Sequence, residues 1–159
     1  MKPLRGSVSD QLSVRADDLF RLISTVDLLP EWNERIHRVV AAPADPIQQG
    51  DEWVVAMGLM GARWNSRSRV ESIDREERRL TVISRTDDGN PSHSRWIWEV
   101  VPVDEEAWIT VSWELYPETF WRKVLFSKMR HRQLKEEVRG SLKMAERVTI
   151  ARRGPSRSG

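Results

Sequence analysis

Few residues in this chain have the types and spacing that chemistry needs. There are three histidines and no cysteine. The missing thiol removes disulfides, thiolate metal sites and cysteine nucleophiles together. His37, His93 and His131 stand far apart without paired metal-ligand spacing, so no metal and no cofactor is expected. There is no phosphate-cradling glycine loop, dinucleotide fingerprint or nucleophile elbow. What the sequence offers instead is apolar and weakly polar. Eight tryptophans occur in 159 residues. Several alternate along short segments: Trp53, Val55 and Met57; then Trp64, Ser66 and Ser68; then Trp96 and Trp98; then Val111 and Trp113. Each set falls on one face of a strand. Large rings beside serines tile a surface less closely than Leu and Val do. They predict a cavity with apolar walls and a few hydroxyls, the usual make-up of a small-molecule site. The competing account is that the indoles fill a solid core, and strand parity does not separate the two.

The elements that must carry these faces follow from periodicity. Ser7 to Val14 reads as a strand, and Ala16 to Thr25 as a helix with Asp17 and Asp18 in its first turn. Leu28 to Trp32 reads as a second helical turn interrupted by Pro30. Strands are expected at Ile36–Ala42, Asp51–Leu59, Ala62–Ile73, Leu80–Thr86, Ser94–Val101 and Ala107–Tyr116. Gly58 to Gly61 and Asp87 to Asn90 mark tight hairpins. A long helix follows from about Thr119 to Ala151, with Phe120, Val124, His131, Leu134, Val138, Leu142, Ala145 and Val148 on one stripe. A twisted meander curls, and only this last helix is long enough to cover its concave face. Leu134 and Val138 would then close the cavity, while Ser66 and Ser68 would orient a polar end of the ligand. His131 shares the stripe as a rim, core or ligand-contacting residue. The expected organisation is one α+β domain over residues 1–151, with a basic, disordered tail at 152–159.

Parity also bears on catalysis. If Trp96 and Trp98 point inward, His93, Arg95 and Glu99 point outward, and the pocket is poor in groups that titrate near neutrality. A bulge in that strand would reverse this. No catalytic residue is therefore assigned; an enzyme would need His131, or His93 or Glu99 turned inward.

Net charge is +2, unevenly spread. Residues 118–159 carry 12 Lys and Arg against 4 Glu, a net +8, and the remainder carries −6. Either the closing helix attracts an anionic partner, such as a membrane surface or a ribosome, or it faces its own acidic body. Specific nucleic-acid binding is not expected. No apolar run approaches a bilayer span and the first residues carry no signal-peptide core, so a cytoplasmic location is expected.

The order of strand, two short helices, meander and long helix resembles the helix-grip fold of the START/Bet v 1-like (SRPBCC) superfamily, in its polyketide cyclase/dehydrase and coenzyme Q-binding branch. The residues that carry the likeness are Leu28-Leu29-Pro30-Glu31-Trp32-Asn33, Gln49-Gly50-Asp51-Glu52-Trp53, Ser92-His93-Ser94-Arg95-Trp96 and Trp108-Ile109-Thr110-Val111-Ser112-Trp113-Glu114-Leu115. The resemblance implies an internal apolar cavity between sheet and long helix, used for lipids, polyketides, quinones or other hydrophobic molecules. Some members are enzymes such as cyclases and dehydratases, and many only bind or carry. The family supplies no universal catalytic residue to transfer.

Overall fold

The computed structural model describes residues 3–59, 61–118 and 130–153. Seven strands form one antiparallel sheet: β1 (Leu4–Leu12), β2 (Ile36–Ala41), β3 (Glu52–Leu59), β4 (Ala62–Asp74), β5 (Arg79–Thr86), β6 (His93–Val103) and β7 (Glu106–Tyr116). Their order across the sheet is β1-β7-β6-β5-β4-β3-β2. From β2 to β7 the strands are sequential neighbours, as short hairpins dictate. β1 instead joins the far edge, pairing with β7 from Leu4↔Leu115 to Leu12↔Ala107. Gly61 and Gly89 hold φ of +86° and +85° between paired strands, a conformation that glycine reaches without a Cβ penalty. The expected meander, its hairpins and the helix-grip α+β architecture are present. β1 starts three residues earlier than periodicity places it, because Leu4, Arg5 and Gly6 find ladder partners on β7 that local alternation does not reveal.

Helix α1 (Ala16–Ile23) buries Leu19, Phe20, Leu22 and Ile23. Asp17 in its first turn also receives Arg78 at 2.8 Å. A single 3₁₀ turn at Val26–Leu28 leads into α2 (Leu29–Trp32). Pro30 does not interrupt this turn. It lies at its start, where a missing N–H costs nothing and a fixed φ suits the helix. Helix α3 (Arg130–Arg152) buries Val138, Leu142 and Ala145 and packs on β1, α1 and α2. Glu146 accepts the backbone N–H of Ser13 at 2.7 Å. Lys143 meets Asp10 at 3.3 Å, and Arg152 and Arg153 meet Glu31 and Asp18, each at 3.8 Å. These cations face acids of the body. Phe120 and Val124 lie outside the described residues, as does the His131 side chain. None of the described helices is long and apolar enough to cross a membrane.

Buried residues run across the whole sheet, and the part of the core that the helices cover closely lies at its β1–β7–β6 end. Val8, Leu12, Val100, Ile109 and Val111 form it with α1 and the middle of α3. Over β3 to β6 the cover is different, and there the layers stand apart.

Candidate functional site

A cavity of about 890 Å³ lies between the concave faces of β3–β6 and the first half of α3. That is within the range of sites that enclose a drug-sized molecule. β3 contributes Trp53, Val55 and Met57, and β4 contributes Trp64, Ser66 and Ser68. The register explains why these six meet: Trp53 pairs with Ser68, Val55 with Ser66 and Met57 with Trp64, so three rows cross both strands on one face. β6 adds Trp96 and Trp98, while Leu134 and Val138 of α3 border the cavity from above.

Val111 and Trp113 share the inward face of β7 but are not on this wall. Val111 is fully buried in the core. Trp113 is turned toward β1, where its indole lies directly over Gly6. The cause is the helical layer. α1 packs on β6 and β7, and α3 on β1, so this end of the sheet is closed and the opening is displaced toward β3–β6.

The indoles form a connected set. Trp32 meets Trp98 edge to face, with centroids 5.5 Å apart and planes at 87°. Trp98 lies 6.4 Å from Trp96 with planes at 23°, and Trp96 is 5.6 Å from Trp113. These separations suit quadrupole-favoured aromatic packing. Trp32 is 1% exposed and also borders the cavity, so α2 closes one end with a ring rather than a backbone turn.

Beside the indoles, on the same face of the sheet, runs a row of hydroxyls longer than parity alone indicates. Ser68, Ser84 and Ser94 are consecutive register partners on β4, β5 and β6. Ser68 and Ser84 share a hydrogen bond of 2.7 Å. The Trp96 indole N–H donates to Ser94 Oγ at 3.0 Å. Ser66 donates to the Arg85 carbonyl at a long 3.4 Å. Ser84, Thr86 and Ser94 are missing from the sequence-based set, though their signal is present. Ser84 and Thr86 continue the inward alternation of Leu80 and Val82, and Ser94 that of Trp96 and Trp98.

Ionisable residues also line the cavity, so it is not as poor in them as strand parity predicts, and His93 is among them. Arg35 and Glu137 form an ion pair between the α2–β2 connection and α3, with side chains 20% and 34% exposed. Glu34, Arg85 and Glu136 also border the cavity. So does His93, its ring stacked on Tyr116 with centroids 4.6 Å apart. β6 pairs with both neighbours without a register shift, so no bulge turns Glu99 inward. Glu99 instead meets Arg79 at 3.4 Å.

Several solved structures share this architecture at low identity. The Zhui aromatase/cyclase from Streptomyces sp. R1128 superimposes with a TM-score of 0.77 at 12% identity, covering 99% of this chain and 99% of that one. Ara h 8.0201 gives 0.73 at 14% identity, covering 94% and 99%. TTHA0849 from Thermus thermophilus gives 0.72 at 16% identity, covering 93% and 98%. No curated protein sequence matches the chain. The sequence model for "polyketide cyclase / dehydrase and lipid transport" matches residues 4–148. With nearly the whole described sheet and most of α3 inside that match, the chain belongs to the polyketide cyclase/dehydrase and lipid transport family.

Proposed function

We propose that this protein binds a hydrophobic small molecule, of lipid, polyketide or quinone-like character, between the sheet and α3. The observation that carries the reading is the 890 Å³ cavity walled by Trp53, Trp64, Trp96 and Trp98 and floored by serine hydroxyls. Filling such a space releases water from apolar surface at roughly 25 cal/mol per Å², and the indoles give flat surfaces for a ring or chain. Ser66 and Ser68 orient the polar end, and Leu134 and Val138 close over it. Family membership and the shared fold of an aromatase/cyclase and of Ara h 8.0201 support the same reading.

The test is incubation of the purified protein with a lipophilic extract, then native mass spectrometry beside tryptophan fluorescence. A retained compound with altered indole emission is the expected result. No retained mass together with unchanged emission overturns the reading.

A second reading, a cyclase or dehydratase acting in the same cavity, is favoured by the ionisable groups at its border, His93, Arg85 and Glu137 among them. It requires that a retained compound be converted, with a mass change on incubation. An anionic partner for the basic helix forms no part of the proposal, because Lys143, Arg152 and Arg153 already meet acids of the body. A cytoplasmic location fits a carrier of this kind and is tested by fractionation of the producing cells.

A further inference from the structure

We infer that the ligand carries at least two hydrogen-bond-accepting oxygens about one interstrand spacing apart, read by Ser94 and by the Ser68–Ser84 pair. This rests on the cavity-binding reading above and narrows it. The argument is a count of protons. Ser94 Oγ accepts from the Trp96 indole at 3.0 Å, so its own hydroxyl proton remains to be placed. Its one protein acceptor among the described residues, the Ser84 carbonyl, is 3.5 Å away, a long and weak O–H···O contact that a better-placed acceptor would replace. Ser68 and Ser84 share one proton across 2.7 Å. Whichever of the two donates, the other keeps a proton with no protein acceptor among the described residues.

Two hydroxyl donors therefore remain in this serine row. They sit on adjacent strands when the spare proton is on Ser84, about 4.8 Å apart, and twice that when it is on Ser68. Ser68 is buried, at 6% exposure, while Ser84 and Ser94 are half-buried on the cavity wall, so a ligand that fills the cavity displaces the water that would accept from them and an acceptor on the ligand replaces it. A molecule with two carbonyl or ether oxygens about one interstrand spacing apart fits both the cavity's volume and its serine row.

The probes are three molecules of one ring skeleton: anthraquinone, anthrone and anthracene, which carry two, one and no carbonyl oxygens. Their dissociation constants are measured by indole fluorescence quenching. The wild-type protein is expected to prefer anthraquinone over anthracene, losing roughly fivefold in affinity for each oxygen removed. In the triply substituted Ser68→Ala, Ser84→Ala, Ser94→Ala protein the ratio of the two constants is expected to fall toward one. Because the readout is a ratio within one protein, a general loss of folding does not imitate it. A wild-type ratio near one overturns the inference while the cavity reading stands. A large ratio that survives the three substitutions overturns it too. Failure of the wild type to bind any of the three overturns the cavity reading, and this inference with it.

Discussion

Replacing Gly6 by alanine tests how the closed end of the sheet is packed and whether that packing reaches the cavity. A Cβ built at Gly6 lies 2.5 Å from Trp113 Cζ2, 2.6 Å from Cε2 and 2.7 Å from Nε1. Carbon atoms in good contact stand about 3.5–4.0 Å apart, so the indole must retreat by roughly 1 Å. It has little room to do so. Trp113 is 1% exposed, and its ring lies 5.6 Å from that of Trp96. Overpacking of this kind costs about 1–3 kcal/mol. The stiffer unfolded chain of the alanine variant returns about 0.4–1 kcal/mol, because Gly6 does not need positive φ. A net loss of about 1–2 kcal/mol follows, seen as a urea midpoint lower by roughly 0.5–1 M at an ordinary slope. Gly58→Ala is the internal comparison. Its added Cβ meets His37 Nε2, the far end of an exposed side chain that can swing aside, so stability should stay within about 0.5 kcal/mol. The displaced Trp113 ring also pushes on Trp96, so Gly6→Ala should weaken anthraquinone binding as well. Equal stability of the Gly6→Ala and wild-type proteins would refute the packing argument. A stability loss with unchanged binding would refute the link to the cavity.

Other perturbations probe other parts of the structure. Leu142, fully buried on α3, should cost about 2–5 kcal/mol when cut to alanine, measured by thermal or urea unfolding. Ser66→Phe should keep the fold, since Ser66 faces the cavity and makes only a 3.4 Å hydrogen bond, yet weaken anthraquinone binding by at least about tenfold by occupying the space. Arg35→Ala removes the ion pair with Glu137; being partly exposed, the pair should contribute no more than about 1 kcal/mol. Its clearer sign should be faster hydrogen exchange in α3 around Glu137. Raising salt should change stability little through Lys143, Arg152 and Arg153, whose pairs with Asp10, Glu31 and Asp18 are exposed.

How far the sequence speaks can be seen residue by residue. Period-two alternation finds the inward faces of β3, β4 and β6 correctly, because hairpin partners inherit each other's parity: Trp53 with Ser68, Val55 with Ser66, Met57 with Trp64. Parity assigns a face and stops there. It puts Val111 and Trp113 on the same face as Trp96. The division into packed core and cavity wall depends on where α1 and α3 touch the sheet, which is a tertiary fact. Pro30 reads as an interruption because a proline inside a helical pattern looks alike whether it breaks one helix or begins the next. The hydroxyl row is only half legible. Ser66 and Ser68 are close together in one strand, but the alignment of Ser68 with Ser84 and Ser94 needs the register of three strands.

The most direct test of the cavity as a binding site is an NMR measurement of intermolecular NOEs between bound anthraquinone and the protein. Contacts to the indole protons of Trp96 and Trp98 and to the methyls of Leu134 and Val138 are the expected result. Contacts restricted to exposed groups such as Trp108 or Val101 on the opposite side of the sheet would contradict it.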